Sequence, residues 1–246
     1  MKKGQVTIFV ILSVLIIASA AIYLVYTRLP AGKTASREVS ALLPEFAESG
    51  NMIEDCLGNV LKAGVEELGL QGGYMDNSGL KKYDYAGLDV TYLYYDEKSY
   101  LPTTDEMAAS LEDYMEANAP QCQSVVKNVD FTAGNIKDVN VYIRETSVDA
   151  EIEWPITFRK GELTSRVDLF RASKLFRLGA IMNELTGFMT VQVENPDEVC
   201  LSCLIDAGER NSFVIDIDNM ITTYVFDIKD ASASGETFDF VFAHGY

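Results

Sequence analysis

The sequence predicts an α+β fold: an N-terminal transmembrane helix followed by an extracytoplasmic domain of helices and antiparallel β-meanders. Three observations lead there. Val6 to Tyr26 is an unbroken run of 21 uncharged residues. Beyond it, apolar residues recur at helical spacing in some stretches and at every second position in others, and strands come in runs separated from the helices, which is α+β patterning. The composition, 48% hydrophobic and 11% aromatic with only six Pro in 246 residues, is that of a chain that can bury a core.

Residues 1–5 form a basic leader carrying Lys2 and Lys3. Residues 6–26, rich in Ile, Val, Leu and Ala, are long enough as a helix to cross a hydrocarbon layer of about 30 Å. Tyr23, Tyr26, Arg28, Lys33 and Arg37 follow, so the aromatic and basic belt is stronger after the span than before it. Positive charge therefore leaves orientation open. An even number of cysteines in an acidic, globular exterior favours an oxidising compartment, and with it a cytoplasmic N-terminus. The competing account is a secretory signal cut after Ala18-Ser19-Ala20, but Ala21 to Tyr26 stays apolar past that point.

Residues 27–37 read as an interfacial linker. Residues 38–125 form a mainly helical half with a Tyr-rich strand region. Glu38 to Ala47 and Met52 to Leu68 carry helical periodicity through Ile53, Leu57, Val60, Leu61, Val65 and Leu68, with Gly69 as the expected stop. Leu88 to Tyr95 alternates as a strand with two unequal faces. Thr103 with Glu106 spells a capping box for a helix through Met107, Leu111, Tyr114 and Met115.

Residues 126–246 form the antiparallel sheet and helix half. From Val148 to Phe158 every second residue is apolar, one long half-buried strand, and Pro155 on its polar side requires an edge or a bulge. With Val139 to Glu145 before it and Leu163 to Phe170 after the Lys160-Gly161 turn, it forms a three-stranded meander. Helices at Ser173 to Leu185 and Pro196 to Ala207 separate it from a second meander, marked by Phe213, Ile215 and Ile217, by Tyr224, Phe226 and Ile228, and by Phe238, Phe240 and Phe242.

Met1-Lys2-Lys3-Gly4-Gln5-Val6-Thr7-Ile8-Phe9 resembles the class III signal peptides of archaeal type IV pilin-like proteins. The resemblance implies processing between Gly4 and Gln5, which leaves the apolar helix as the mature N-terminus. Phe9 departs from it, standing where many such pilins carry a Glu that pairs with a neighbouring subunit's amine. Leu70-Gln71-Gly72-Gly73-Tyr74, Cys200-Leu201-Ser202-Cys203-Leu204 and Phe242-Ala243-His244-Gly245-Tyr246 are similar to features of uncharacterised single-pass archaeal envelope proteins. No activity comes with that resemblance.

Charge excludes one class of function. The net is −17, and because no acidic residue precedes Glu38, residues 38–246 carry 15 cations against 37 anions. Such a field repels phosphate, so no nucleic acid is expected as a partner. A single His removes sites that need two imidazoles, and His244 has no neighbouring nucleophile motif, which makes it a partly exposed C-terminal residue. Glu151 with Glu153 and Asp216 with Asp218 have the spacing of a solvated strand face, although paired carboxylates also serve glycoside hydrolysis. Asp216-Ile217-Asp218-Asn219 lacks the Gly and distal Glu of a calcium loop.

Four candidate features remain. Cys56, Cys122, Cys200 and Cys203 allow three pairings, with one bond between helices and one inside the Cys-x-x-Cys as the structural reading. A redox dithiol at Cys200 and Cys203, opposed by Asp197 and Glu198, and a four-Cys zinc site are the alternatives. Seven of the 13 tyrosines lie between Tyr74 and Tyr100, and Tyr85, Tyr92, Tyr94 and Tyr95 form a candidate aromatic surface, against the simpler account of half-buried strand residues. Arg159, Lys160, Arg166, Arg171, Lys174 and Arg177 form a cationic island with Arg171 and Lys174 near an expected helix start. It would dock on an acidic partner, a second copy or anionic headgroups, unless Glu151 and Glu153 neutralise it within the chain.

The expected protein is thus a membrane-anchored, extracytoplasmic structural or interaction protein of the cell envelope, a pilin-like subunit or the scaffold of a surface complex. Its expected partners are the bilayer and another protein or copy of itself. It needs no cofactor and no metal. The alternative is an anchored enzyme, either a thiol-disulfide oxidoreductase using Cys200 and Cys203 or a carboxylate-based hydrolase.

Overall fold

The computed structural model describes residues 38–231 and 237–245. The leader with Gly4 and Gln5, the transmembrane helix and the linker fall outside those residues. Among the described residues no helix is long and apolar enough to cross a membrane. The described residues form one compact unit, and the two expected halves share a core.

A 3-10 turn at Val39–Ala41 leads into α1, Pro44–Leu70, with Pro44 at its first position. The two helices expected at 38–47 and 52–68 are therefore replaced by one that runs straight through Gly50. Gly50 is kept by packing: a Cβ there would lie 2.7 Å from side-chain carbons of both Val39 and Leu42. Phe46, Ile53, Leu57, Leu61, Val65 and Leu68 bury the inner stripe. The helix ends where Gly72 and Gly73 take positive φ and the Gly73 N–H returns to the Leu68 carbonyl at 2.9 Å.

Strands β1 (Lys82–Tyr85), β2 (Leu88–Tyr95) and β3 (Lys98–Ser99) precede α2, Thr104–Asn118. The expected capping box is present: the Glu106 N–H donates to Thr103 Oγ1 at 3.2 Å, and Glu106 Oε2 accepts from the Thr103 N–H at 2.8 Å. A 3-10 segment, Ala119–Val125, carries Cys122.

The first sheet contains β4 (Asp130–Ala133), β5 (Asp138–Ile143), β6 (Val148–Lys160) and β7 (Leu163–Lys174). From Val148 to Phe158, β6 buries every second residue as expected. It is bulged and not an edge. β7 pairs along its length, while β5 and β4 pair with its first and second parts, and the β6–β7 register slips between Glu153 and Ile156, where Pro155 stands. Ser173 and Lys174 complete the β7 ladder opposite Asp149 and Val148. The next helix, α3, consequently spans Leu178–Glu194 instead of starting at Ser173. Helix α4 is Leu201–Asn211 and begins later than Pro196, because the Gln192 amide holds the carbonyls of Asn195 and Glu198 at 3.1 and 3.0 Å in a loop.

Strands β8 (Val214–Met220), β9 (Thr223–Asp230) and β10 (Phe238–Gly245) form the second expected meander. They belong to a six-stranded sheet ordered β1-β2-β10-β9-β8, with β3 also on β2. β10 runs parallel to β2, a non-local pairing. Because β2 is central, Val90 to Tyr94 is buried on both faces, unlike the two unequal faces expected. Helix α1 lies against both β7 and β10 and so joins the sheets. Phe188 of α3 packs on the rings of Phe226 and Phe242, with centroids 6.0 and 6.5 Å apart, closing the core over the second sheet.

Candidate functional site

The cysteines pair as Cys56–Cys122 and Cys200–Cys203, and no cysteine is free. The two bonds differ physically. Cys56–Cys122 spans 66 residues and ties α1 to the segment after α2, with Cys122 fully buried. Chain-entropy arithmetic assigns it about 4 kcal/mol, against about 2 kcal/mol for the bond between Cys200 and Cys203. The latter spans three residues, and both of its cysteines are partly exposed.

Cys200 is the N-cap residue of α4, and Cys203 lies in its first turn. The Cys203 N–H donates to the Cys200 carbonyl at 3.1 Å, so the bond spans one tight turn. Cys200 lines a groove of about 360 Å³ with Val191, Asn195, Glu198, Val199 and Leu201. Val191, Val193 and Ile205 stand exposed on α3 and α4, at 37%, 49% and 53%. The loop leading to Cys200 is held from below by fully buried Gln192, through the two carbonyl contacts described above. Nothing in the sequence pattern marks Gln192 or the groove, because both depend on how α3 packs.

A second groove, about 650 Å³, runs between the segment from Ser99 to Thr104 and α3. Leu101, Pro102, Met182, Met189 and Val193 supply its apolar walls, and its polar lining includes Thr186, Thr190, Asn183 and Glu194. The two threonine hydroxyls already donate to the carbonyls of Met182 and Thr186 in the preceding helical turns.

The cationic island disperses in the fold. Arg177 sits beneath the surface in a bidentate pair with Asp230, 2.7 Å at its shortest, and also donates to the Asn211 carbonyl at 2.9 Å. Arg171 meets Glu38 at 2.9 Å and Glu151 at 3.0 Å, and Arg166 meets Asp168 at 2.6 Å. Arg171 and Lys174 belong to β7, which removes the unfavourable helix-start position expected for them. Arg159 and Lys160 are exposed at the β6–β7 turn, and Lys174 crosses Gly58 of α1. Of the two acidic groups expected to neutralise the island, Glu151 does so, while Glu153 pairs with Lys137 at 2.8 Å.

The aromatic surface is also largely interior. Tyr92 and Tyr94 are 6% and 1% exposed. Only Tyr95, under the Lys81 ammonium, and Tyr85, whose hydroxyl donates to Asp218, reach the surface. His244 corrects the expectation of a partly exposed terminus: it is fully buried, stacked on Tyr94 with centroids 4.7 Å apart, and neither ring nitrogen meets a hydrogen-bond partner among the described residues. Burial pushes its pKa down to about 4, leaving a neutral ring.

The carboxylate pairs are engaged in neutralising contacts. Lys229 holds Asp216 at 2.6 Å and Asp227 at 3.3 Å. Asp227 is held above the usual carboxylate range by burial and then by the charge of Asp239. No group of three or more metal-ligating side chains is assembled among the described residues. No family model, curated protein or solved structure matches this chain.

Proposed function

We propose that this chain is an interaction protein of the cell envelope, anchored by residues 6–26 with its folded domain outside, and that it works by contact with partners. The pair of disulfides carries the reading, since such bonds persist in oxidising compartments. The contact surface is the 650 Å³ groove beside α3, where exposed Val193 offers an apolar anchor among threonines. Phe9 in place of the acidic residue of many pilin-like subunits favours the scaffold of a surface complex over a filament subunit.

The test is made on the full chain in intact cells. External protease should degrade residues 38–246, and thiol labelling should require prior reduction. A soluble product beginning at Ala21, or cysteines that label without reduction, would refute the anchored, oxidised arrangement. Val193→Arg should shift the native complex to smaller size on a non-denaturing gel while leaving the circular dichroism unchanged.

A further inference from the structure

We propose that Cys200–Cys203 is a disulfide-exchange site that oxidises cysteine pairs in a client polypeptide, with neutral or basic client segments preferred. This activity goes beyond the scaffold reading and does not depend on it. Four observations converge. Both sulfur-bearing residues of this bond are partly exposed, while the other bond has Cys122 fully buried. A groove reaches Cys200, which gives an incoming thiolate a path to that end of the bond. Exposed Val191, with Val199 and Leu201, lines that approach with apolar area where a polypeptide backbone could rest. Cys200 also caps an 11-residue helix, whose aligned amides stabilise a thiolate formed there.

The exchange balances within the two molecules. A client thiol loses its proton to solvent, and its sulfur attacks Cys200 Sγ. The Cys200–Cys203 bond breaks, and its electron pair leaves on Cys203 Sγ, which takes up a proton. The second client thiolate then attacks the client sulfur of the mixed disulfide and expels Cys200 as a thiolate, which is protonated in turn. The client gains one disulfide and is oxidised by two electrons; Cys200 and Cys203 become a dithiol. A low-molecular-weight disulfide returns the site to its oxidised form by the same two steps in reverse.

Charge supplies the selectivity. Exposed Asp197 and Glu198 stand just before Cys200 in an exterior of strongly negative net charge. An anionic thiol is repelled on approach and a cationic one attracted, an effect that salt screens.

The full chain in detergent is mixed with a reduced synthetic peptide bearing two cysteines, in versions with lysine or glutamate flanks, then acid-quenched, alkylated and mass-mapped. The peptide should become oxidised as Cys200 and Cys203 acquire label. Cys56 and Cys122 should react at least about tenfold more slowly, as expected for a buried bond. The lysine-flanked peptide should react roughly 3- to 10-fold faster than the glutamate-flanked one at low salt, a ratio that Asp197→Asn with Glu198→Gln should bring towards one. Val191→Asp should slow the peptides but not dithiothreitol. A peptide that stays reduced, or reduction of both disulfides at one rate, would overturn the proposal. Equal rates for the two peptides at low salt would overturn the selectivity.

Discussion

Replacing His244 by Phe should flatten the acid limb of the stability curve. The ring stacks on Tyr94 and touches Phe188 and Phe226, so a phenyl group fills nearly the same space. In the unfolded chain the imidazole titrates near 6.5, and burial lowers this to about 4 in the fold. The sign follows directly. Above pH 6.5 both states are neutral at this position and it contributes no pH dependence. As pH falls from 6.5 towards 4 the unfolded chain takes up a proton that the folded chain excludes, so stability is lost, and below about pH 4 the loss levels off. A gap of this size corresponds to about 3 kcal/mol, with about 2.5 kcal/mol already lost at pH 4.5. At pH 7.5 the Phe variant should match wild type or exceed it by about 1 kcal/mol, because two unpartnered ring nitrogens are removed. Urea unfolding followed by circular dichroism at pH 7.5, 6.5, 5.5 and 4.5 measures the difference between the two proteins, in which the titration of shared carboxylates cancels. Parallel curves across that range would refute the reasoning and mean that the imidazole finds a proton acceptor or water in the folded state.

Three further outcomes follow from the same packing. Arg177→Ala removes the bidentate contact to Asp230 and the bond to the Asn211 carbonyl and should cost about 3–5 kcal/mol in urea unfolding. Arg177→Lys should recover little of this, since one ammonium cannot span both carboxylate oxygens and the Asn211 carbonyl. Gly179→Ala drives a Cβ into the Arg144 carbonyl oxygen, a backbone atom that cannot swing aside, and should lower stability by about 1–3 kcal/mol with α3 displaced at its start. Replacing both Cys56 and Cys122 with Ser should cost about 4 kcal/mol, roughly twice the loss from the same change at Cys200 and Cys203, as read from the midpoints of paired denaturation curves.

The elements most legible in the sequence were those whose signal is local. The capping box at Thr103 and Glu106, the alternation of β6 and the three strands of the second meander each depend on residues close in the chain, and each is present. The misread elements were decided by distant partners. Ser173 and Lys174 have helix-compatible neighbours, yet the open edge of β6 takes them as a ladder. Gly50 reads as a break until Val39 and Leu42 fold back over it. The parallel pairing of β10 with β2 joins residues about 150 positions apart and makes the core of Tyr92, Tyr94 and His244, which periodicity cannot show.

The same reasoning explains why the candidate sites changed character. A cluster of cations in sequence becomes a surface patch only if the residues share a face and lack nearby acids. On β7, Val167, Phe170 and Ala172 turn into the core while Arg166 and Arg171 stay exposed, and Arg177 turns inward at the entry to α3 to meet Asp230. An intensely acidic exterior supplies carboxylates to Arg166 and Arg171 where they emerge, through Asp168, Glu38 and Glu151, and leaves Arg159 and Lys160 exposed at the turn. The Cys200–Cys203 bond escapes this neutralisation because a disulfide carries no charge. It stays partly exposed and is set in apolar surroundings by α3 and the Gln192 clamp. In a surface where many of the cations are answered by neighbouring carboxylates, a neutral reactive group beside exposed Val191 is where a partner would find chemistry still available.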